Sequence, residues 1–262
     1  MYLAQNGFAE SRQKAKGLLE DGLITVNDKP VCKSSYDVKE SDIVKVIGKG
    51  LAYVGRGGLK LEGALQQFRI DPKGHVCADI GASTGGFTDC LLQNGAKKVY
   101  AIDSGTDQLH PKLKNDPRVI SKENCNARDL DEKVISEPIT LAVMDLSFIS
   151  QTCVYPALVR ILAPSATVIT LIKPQFEAGR KFVGKNGLVK DKKIHMTVLE
   201  NIIMTAADKG LICQDLCVSP ITGGDGNIEY LGYFAFLPDS DAKEIVIPGH
   251  HQIHEVVFGE DK

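Results

Sequence analysis

Val76-Cys77-Ala78-Asp79-Ile80-Gly81-Ala82-Ser83-Thr84-Gly85-Gly86-Phe87 joins a short run of buried-strand character to a glycine-rich bend. An apolar run that ends at such a bend and passes into helix-forming residues reads as a strand-to-helix crossover. The helix is predicted over residues 88–93, with Asn94-Gly95 as its left-handed stop. Val99-Tyr100-Ala101-Ile102-Asp103 supplies the next strand. Crossovers between strands of one sheet are right-handed and make the strands parallel, so the stretch sets the fold class as α/β with a Rossmann-like, mostly parallel sheet. Working outward, residues 139–144 end in Asp145, residues 166–172 end in Lys173, and residues 60–68 carry apolar side chains at helical spacing. Residues 213–219 and 229–237, joined through Gly223-Gly224-Asp225-Gly226, read as a C-terminal antiparallel hairpin.

In open α/β sheets the ligand crevice lies at the carboxyl ends of the strands, so the loop, Asp103, Asp145 and Lys173 should face one space. A lysine and an aspartate there could equally be only a salt bridge. The fingerprint for a dinucleotide, Gly-x-Gly-x-x-Gly, admits a pyrophosphate at a helix start. Here Asp79 stands two places before the first glycine. A carboxylate at that point repels a pyrophosphate and attracts an ammonium such as that of S-adenosylmethionine. Gly81, Gly85 and Gly86 let the backbone approach such a ligand, Ser83, Thr84 and Phe87 complete the loop, and Asp103 can accept both ribose hydroxyls of either cofactor. An ordinary turn with glycines for packing is the plainer reading of the same residues.

With 262 residues, 43% of them hydrophobic, the chain can bury one full α/β core and leave a second, smaller unit. No run approaches the ~20 apolar residues that cross a bilayer, and the first six residues lack the pattern of a signal peptide, so a cytoplasmic protein is expected. The 7 scattered cysteines suit reduced core thiols. No metal is expected: Cys213 and Cys217 lack a second pair of ligands, and His250, His251 and His254 read as an exposed strand end or tail. Up to Lys60 there are ten basic against seven acidic residues, which leaves −5 on the remainder of a chain whose net charge is −2. A phosphate-seeking surface therefore belongs mainly to the N-terminal segment.

In that segment Ser11 is a candidate helix cap, Ala15, Leu18 and Leu19 share one helix side, and Gly22 is the stop. Strands are expected over 23–26, 30–31 and 42–47 around an Asn27-Asp28-Lys29 turn. Arg12 and Lys16 lie one turn apart, a spacing suited to successive phosphates, although a solvated helix face is the usual fate of such charges. The order Ala9-Glu10-Ser11-Arg12-Gln13-Lys14-Ala15-Lys16, then Gly22-Leu23-Ile24-Thr25-Val26-Asn27, resembles the α-L RNA-binding domain of a small-subunit ribosomal protein, pseudouridine synthases and tyrosyl-tRNA synthetases. The Arg-Leu-Asp stretch that usually opens that module is absent. The expected organisation is an RNA-binding domain over 1–48, a glycine-rich linker over 49–58 and a catalytic domain over 59–262.

Five motifs resemble the TlyA family in order: residues 54–61 (Val-Gly-Arg-Gly-Gly-Leu-Lys-Leu), the loop 79–87, residues 144–150 (Met-Asp-Leu-Ser-Phe-Ile-Ser), residues 172–177 (Ile-Lys-Pro-Gln-Phe-Glu) and residues 226–230 (Gly-Asn-Ile-Glu-Tyr). Members are RNA ribose methyltransferases, often labelled haemolysin-like, with an α-L module and an FtsJ-type domain. The resemblance implies S-adenosylmethionine as cofactor and ribosomal RNA or its subunits as partner. It also implies a Lys-Asp-Lys-Glu set at Lys60, Asp145, Lys173 and Glu229. Lys173 is expected to take the ribose hydroxyl proton or orient the hydroxyl, Lys60 to supply a neighbouring positive charge, and the two carboxylates to hold the amines. Arg12, Lys14, Lys16 and Arg56 are the expected RNA contacts. The Gly-, Lys- and Arg-rich residues 175–190 read as a mobile loop whose cations clamp RNA or form plain surface. Rival readings are an NAD-linked dehydrogenase, which Asp79 opposes, a membrane-active haemolysin, and a ribosome-binding factor without catalysis.

Overall fold

The computed structural model describes residues 2–9, 11–20, 23–27, 29–31, 34–39, 41–46, 52–223, 226–238 and 248–259, without the side chains of 13, 14, 20, 29 and 30. The readings placed on Gly22, Asp28, Ile47 and residues 48–50, and on the side chain of Lys14, lie outside the described residues. Contacts divide the chain into two compact units, Met1–Ala52 and Tyr53–Lys262.

The first unit carries helices α1 (Tyr2–Gln5) and α2 (Arg12–Glu20) and strands β1 (Ile24–Val26), β2 (Lys29–Pro30) and β3 (Val44–Val46). The strands form an antiparallel sheet in the order β2-β1-β3. Leu3, Ala15 and Ile24 form its small core, with Phe8, Leu18, Leu19, Val44 and Val46 packed around them.

The second unit runs α3 (Gly57–Phe68), β4 (Val76–Ile80), α4 (Gly86–Gln93), β5 (Lys98–Ile102), α5 (Pro111–Lys114), β6 (Val119–Lys122), β7 (Ile139–Met144), α6 (Tyr155–Leu158), β8 (Leu162–Ile172), α7 (Pro174–Glu177), α8 (Lys192–Ala207), β9 (Leu211–Val218), β10 (Tyr230–Phe236) and α9 (His250–Phe258). Seven strands form one sheet in the order β6-β5-β4-β7-β8-β10-β9. β10 runs antiparallel to both its neighbours, and the other pairings are parallel. Alternate residues feed the two faces, as a pleated strand requires. Val99, Leu141, Val143, Ile169 and Leu171 join Leu61, Ala64 and Leu65 of α3 and Leu91 of α4 in one core. Tyr100, Ala142, Met144, Val168 and Ile172 join Leu199, Ile202 and Ile203 of α8 in the other.

Two helices start earlier than their sequence signals. α3 begins at Gly57, inside the stretch read as linker, and α4 begins at Gly86 rather than Thr88. In both cases glycine admits another segment: a Cβ on Gly86 would lie 2.9 Å from Gly58 N. The histidine-rich end is corrected, since residues 250–258 form α9 rather than a strand end or tail. Ile253 and Val257, one turn apart, bury the helix in the α8-side core, while His250 Nδ1 meets Glu200 Oε1 at 2.7 Å.

Candidate active site

Strand order brings the acids and the lysine together. β4 lies between β5 and β7, so the loop after Ile80 is flanked by Asp103 and Asp145, and β8 sets Lys173 next to Asp145. The chain leaves β4 through Gly81 at φ +87°, where a Cβ would sit 2.5 Å from the Asp145 carbonyl oxygen. Only glycine takes that conformation at that approach. Gly85, at φ +94°, opens α4 under Leu109 and Leu113.

Asp79 is fully buried. Its Oδ2 accepts the Thr88 N–H at 2.8 Å and the Thr88 hydroxyl at 2.6 Å, while Oδ1 has no hydrogen-bond partner among the described residues. Burial pushes the carboxyl up to about 7, against the two Thr88 bonds and with help from the charges of Asp145 and Asp103. Asp79, Gly81, Ser83, Thr84, Gly86, Phe87 and Asp145 line a cavity of about 190 Å³. Beside it, sharing Gly81, Ser83 and Asp145, is a cavity of about 370 Å³ lined also by Asp103, Cys125, Asn126 and Ala127. Asp103 Oδ2 accepts the Ser83 N–H at 2.8 Å and Oδ1 the Gly105 N–H at 2.7 Å, which fixes the carboxylate at the wall and leaves a lone pair on each oxygen.

The four charged residues fall into two pairs. Lys173 Nζ lies 2.5 Å from Asp145 Oδ1, off the direction of a hydrogen bond, and donates to Ser147 Oγ at 3.0 Å. Lys60 Nζ donates to Glu229 Oε2 at 2.6 Å, and Gln175 Nε2 approaches the other oxygen at 3.5 Å. Tyr230 pairs with Ile172, so Glu229 and Lys173 are one residue beyond the last rung of the β10–β8 ladder.

Other expected residues are placed elsewhere. Arg56 donates from Nη2 to the Thr222 carbonyl at 3.2 Å. Arg12 and Lys16 are exposed on α2 of the first unit. The sequence reading assigned no role to Thr88, Ser147, Cys125-Asn126-Ala127 or Phe148. Phe148 is the most legible of these after the fact: it is 90% exposed, adopts φ +65° and packs against Phe176 at a centroid distance of 5.0 Å. Its signal is an aromatic side chain set immediately after Asp145-Leu146-Ser147.

Residues 53–236 match the model of the FtsJ-like methyltransferase family and residues 1–44 that of the S4 domain. The chain belongs to the FtsJ-like methyltransferase family. Among relatives of this FtsJ-like chain, "Putative rRNA methyltransferase YqxC" of Bacillus subtilis is 42% identical over 97% of the chain and 94% of its own length. "16S/23S rRNA (cytidine-2'-O)-methyltransferase TlyA" of Mycobacterium tuberculosis is 40% identical over 87% and 85%. A solved structure titled "Putative hemolysin from Streptococcus thermophilus" superposes with a TM-score of 0.78 at 42% identity, covering 97% of this chain and 92% of that one. Among the described residues of the FtsJ-like chain no helix is long and apolar enough to cross a membrane.

Proposed function

We propose that the chain transfers a methyl group from S-adenosylmethionine to a ribose 2′-hydroxyl of ribosomal RNA, alone or in a subunit, in the cytoplasm. The observation that supports this best is that Asp145 lines both cavities while contacting the Lys173 amine, so a cofactor cradle and a candidate proton acceptor meet at one side chain.

The cradle fits the cofactor. A buried carboxylate oxygen without a donor suits an ammonium, and the positive-φ glycine admits a ligand where a side chain could not stand. Asp79 and the Gly81, Ser83, Thr84, Gly85, Gly86 and Phe87 loop would hold the amino-acid part and Asp103 the ribose. When bound, S-adenosylmethionine supplies a methyl carbon activated by its sulfonium. Lys173 would take the 2′-hydroxyl proton at Nζ, leaving the oxygen to receive the methyl group as the carbon–sulfur bond of the cofactor breaks. Asp145 and Ser147 hold that nitrogen in place, and the Lys60–Glu229 pair fixes a second positive charge nearby. Phe148 and Phe176 give a nucleobase a stacking surface beside the pocket. Arg12, Lys16 and Arg56 would meet phosphates, with Lys14 assigned to the same role on sequence grounds alone.

Replacing Lys173 by alanine is expected to abolish methylation of ribosomal RNA, read by mass mapping, with cofactor affinity by calorimetry within about threefold of the wild type. Near-normal turnover would remove Lys173 from the reaction.

A further inference from the structure

Glu177 ends α7, four residues past Lys173, and touches neither cavity wall described above. Its Oε2 accepts the Ser150 hydroxyl at 2.5 Å and its Oε1 the Gln151 backbone N–H at 3.0 Å. Gln151, 2% exposed, in turn accepts the Thr170 hydroxyl of β8 on Oε1 at 2.5 Å. The segment leaving β7 is therefore held at both ends. Asp145 N–H donates to the Ile80 carbonyl at 3.0 Å at the start, and Ser150 and Gln151 are tied to α7 and β8 at the finish. Between the ties lie Ser147, which accepts from Lys173, and Phe148 in a left-handed conformation that a bulky residue keeps only where its surroundings impose it.

Burial raises the Glu177 carboxyl above its ordinary range, against the bonds from Ser150 and Gln151. A half-buried acid is costly in ionised form unless its oxygens are hydrogen-bonded, as both of these are. We propose that Glu177 is a positioning residue for methyl transfer: by tying α7 to the segment after β7, it sets the Lys173 amine against Asp145 and Ser147. The inference rests on the reading of Lys173 as proton acceptor.

The test uses the full chain and compares Glu177→Ala with Glu177→Gln. Glutamine can keep its oxygen on the Gln151 N–H and donate its amide to Ser150 Oγ, whose own hydrogen turns to Thr152 Oγ1, 2.8 Å away. Alanine removes both ties to α7 and leaves the Gln151 N–H without a partner. Misplacement of a reacting group by ~1 Å costs about a hundredfold in rate, so Glu177→Ala is expected to lower kcat by about that factor. KM for ribosomal RNA and the calorimetric affinity for S-adenosylmethionine should stay within about threefold, and Glu177→Gln should restore most of kcat. If Glu177→Ala fails to fold, Ser150→Ala removes one of the two ties and should lower kcat by about tenfold with cofactor affinity kept. The inference is overturned if a folded variant keeps full kcat, if Glu177→Gln falls as far as Glu177→Ala, or if kcat and cofactor affinity fall together. A wild-type chain that methylates no RNA overturns the parent reading along with this one, whereas an active wild type beside an unaffected Glu177→Ala overturns this one alone.

Discussion

Asp79→Asn should stabilise the protein and disable it at once. The carboxyl titrates near 3.8 when solvated and near 7 in the folded chain, chiefly because it is buried. Folding thus favours the protonated acid. The stability contributed by that neutral form is complete below pH 3.8, falls by about 1.4 kcal/mol per pH unit above it, and is gone by about pH 7, a total of about 4 kcal/mol. Asparagine can keep both bonds from Thr88 on its one oxygen and place its amide at the unpartnered Oδ1 position. It carries no charge at any pH. With ~2–4 °C of melting temperature per kcal/mol for a unit of this size, the cofactor-free variant should melt about 10 °C above the wild type at pH 8. At pH 5, where the wild type has lost less than half of that stability, the gap should shrink to about 4 °C. Other titrating groups are common to both chains and cancel in the difference. The same substitution removes the negative partner of an ammonium. A pair ~4 Å apart at an effective dielectric constant of ~20 is worth about 4 kcal/mol, so affinity for S-adenosylmethionine should fall by about 10²–10³-fold. Wild-type affinity should tighten as pH rises toward 7, with proton release visible in calorimetry in buffers of different ionisation enthalpy. A stability gap that does not change with pH, or an Asp79→Asn chain that binds within about tenfold of the wild type, would refute the reasoning.

Gly81→Ala forces a side chain into a left-handed turn and within 2.5 Å of the Asp145 carbonyl; cofactor binding should be lost and the melting temperature lowered, both measurable by calorimetry. Glu229→Gln leaves the Lys60 ammonium buried without its charge partner, and removing one half of such a pair costs about 3–5 kcal/mol, or about 10 °C. Combining it with Lys60→Met should recover most of that loss. Reversing Arg12 and Lys16 to glutamate should weaken RNA binding and reduce the slope of log affinity against log salt by about two, with cofactor affinity unchanged; an unaltered slope would take the first unit's helix out of RNA contact.

The sheet was readable wherever a strand is buried on both faces, because β4, β5, β7 and the inner half of β8 (residues 166–172) are mostly apolar. The edge strand β6 was not, since Val119-Ile120-Ser121-Lys122 is short and half polar. Helix α8 escaped notice because its start, Lys192-Lys193, continues a basic loop and its cap, Asp191, reads as one more loop residue. In α9 the Ile253–Val257 spacing that folds the helix is only two apolar positions, set among three histidines. The site divides the same way. Asp103, Asp145 and Lys173 each follow the last residue of a strand and Asp79 is the last but one of β4, so spacing alone could put them in one crevice. Lys60 and Glu229 come from a helix and from the entry of a strand, 169 residues apart, and only the resemblance joined them to the set.

What no motif could state is which amine takes which carboxylate. β8 has β7 on one side and β10 on the other, so Lys173 leaves its strand with Asp145 to one side and Glu229 to the other. Ser147 decides between them. It follows Asp145 by two residues and accepts from the same nitrogen, so turning toward β7 satisfies a charge and a hydroxyl together, whereas Gln175 already lies toward Glu229. Glu229 is then left for Lys60, and the pair pins α3 to the start of β10. Lys173 therefore has a partly exposed partner that lines both cavities, and Lys60 has one almost wholly buried, with side-chain exposures of 23% for Asp145 and 3% for Glu229. The two amines are themselves about equally buried, at 10% and 11%, so it is the place of Asp145 on both cavities that sets Lys173 beside the space a substrate would enter. On the proposed reading, that neighbour favours Lys173 over Lys60 as the proton acceptor.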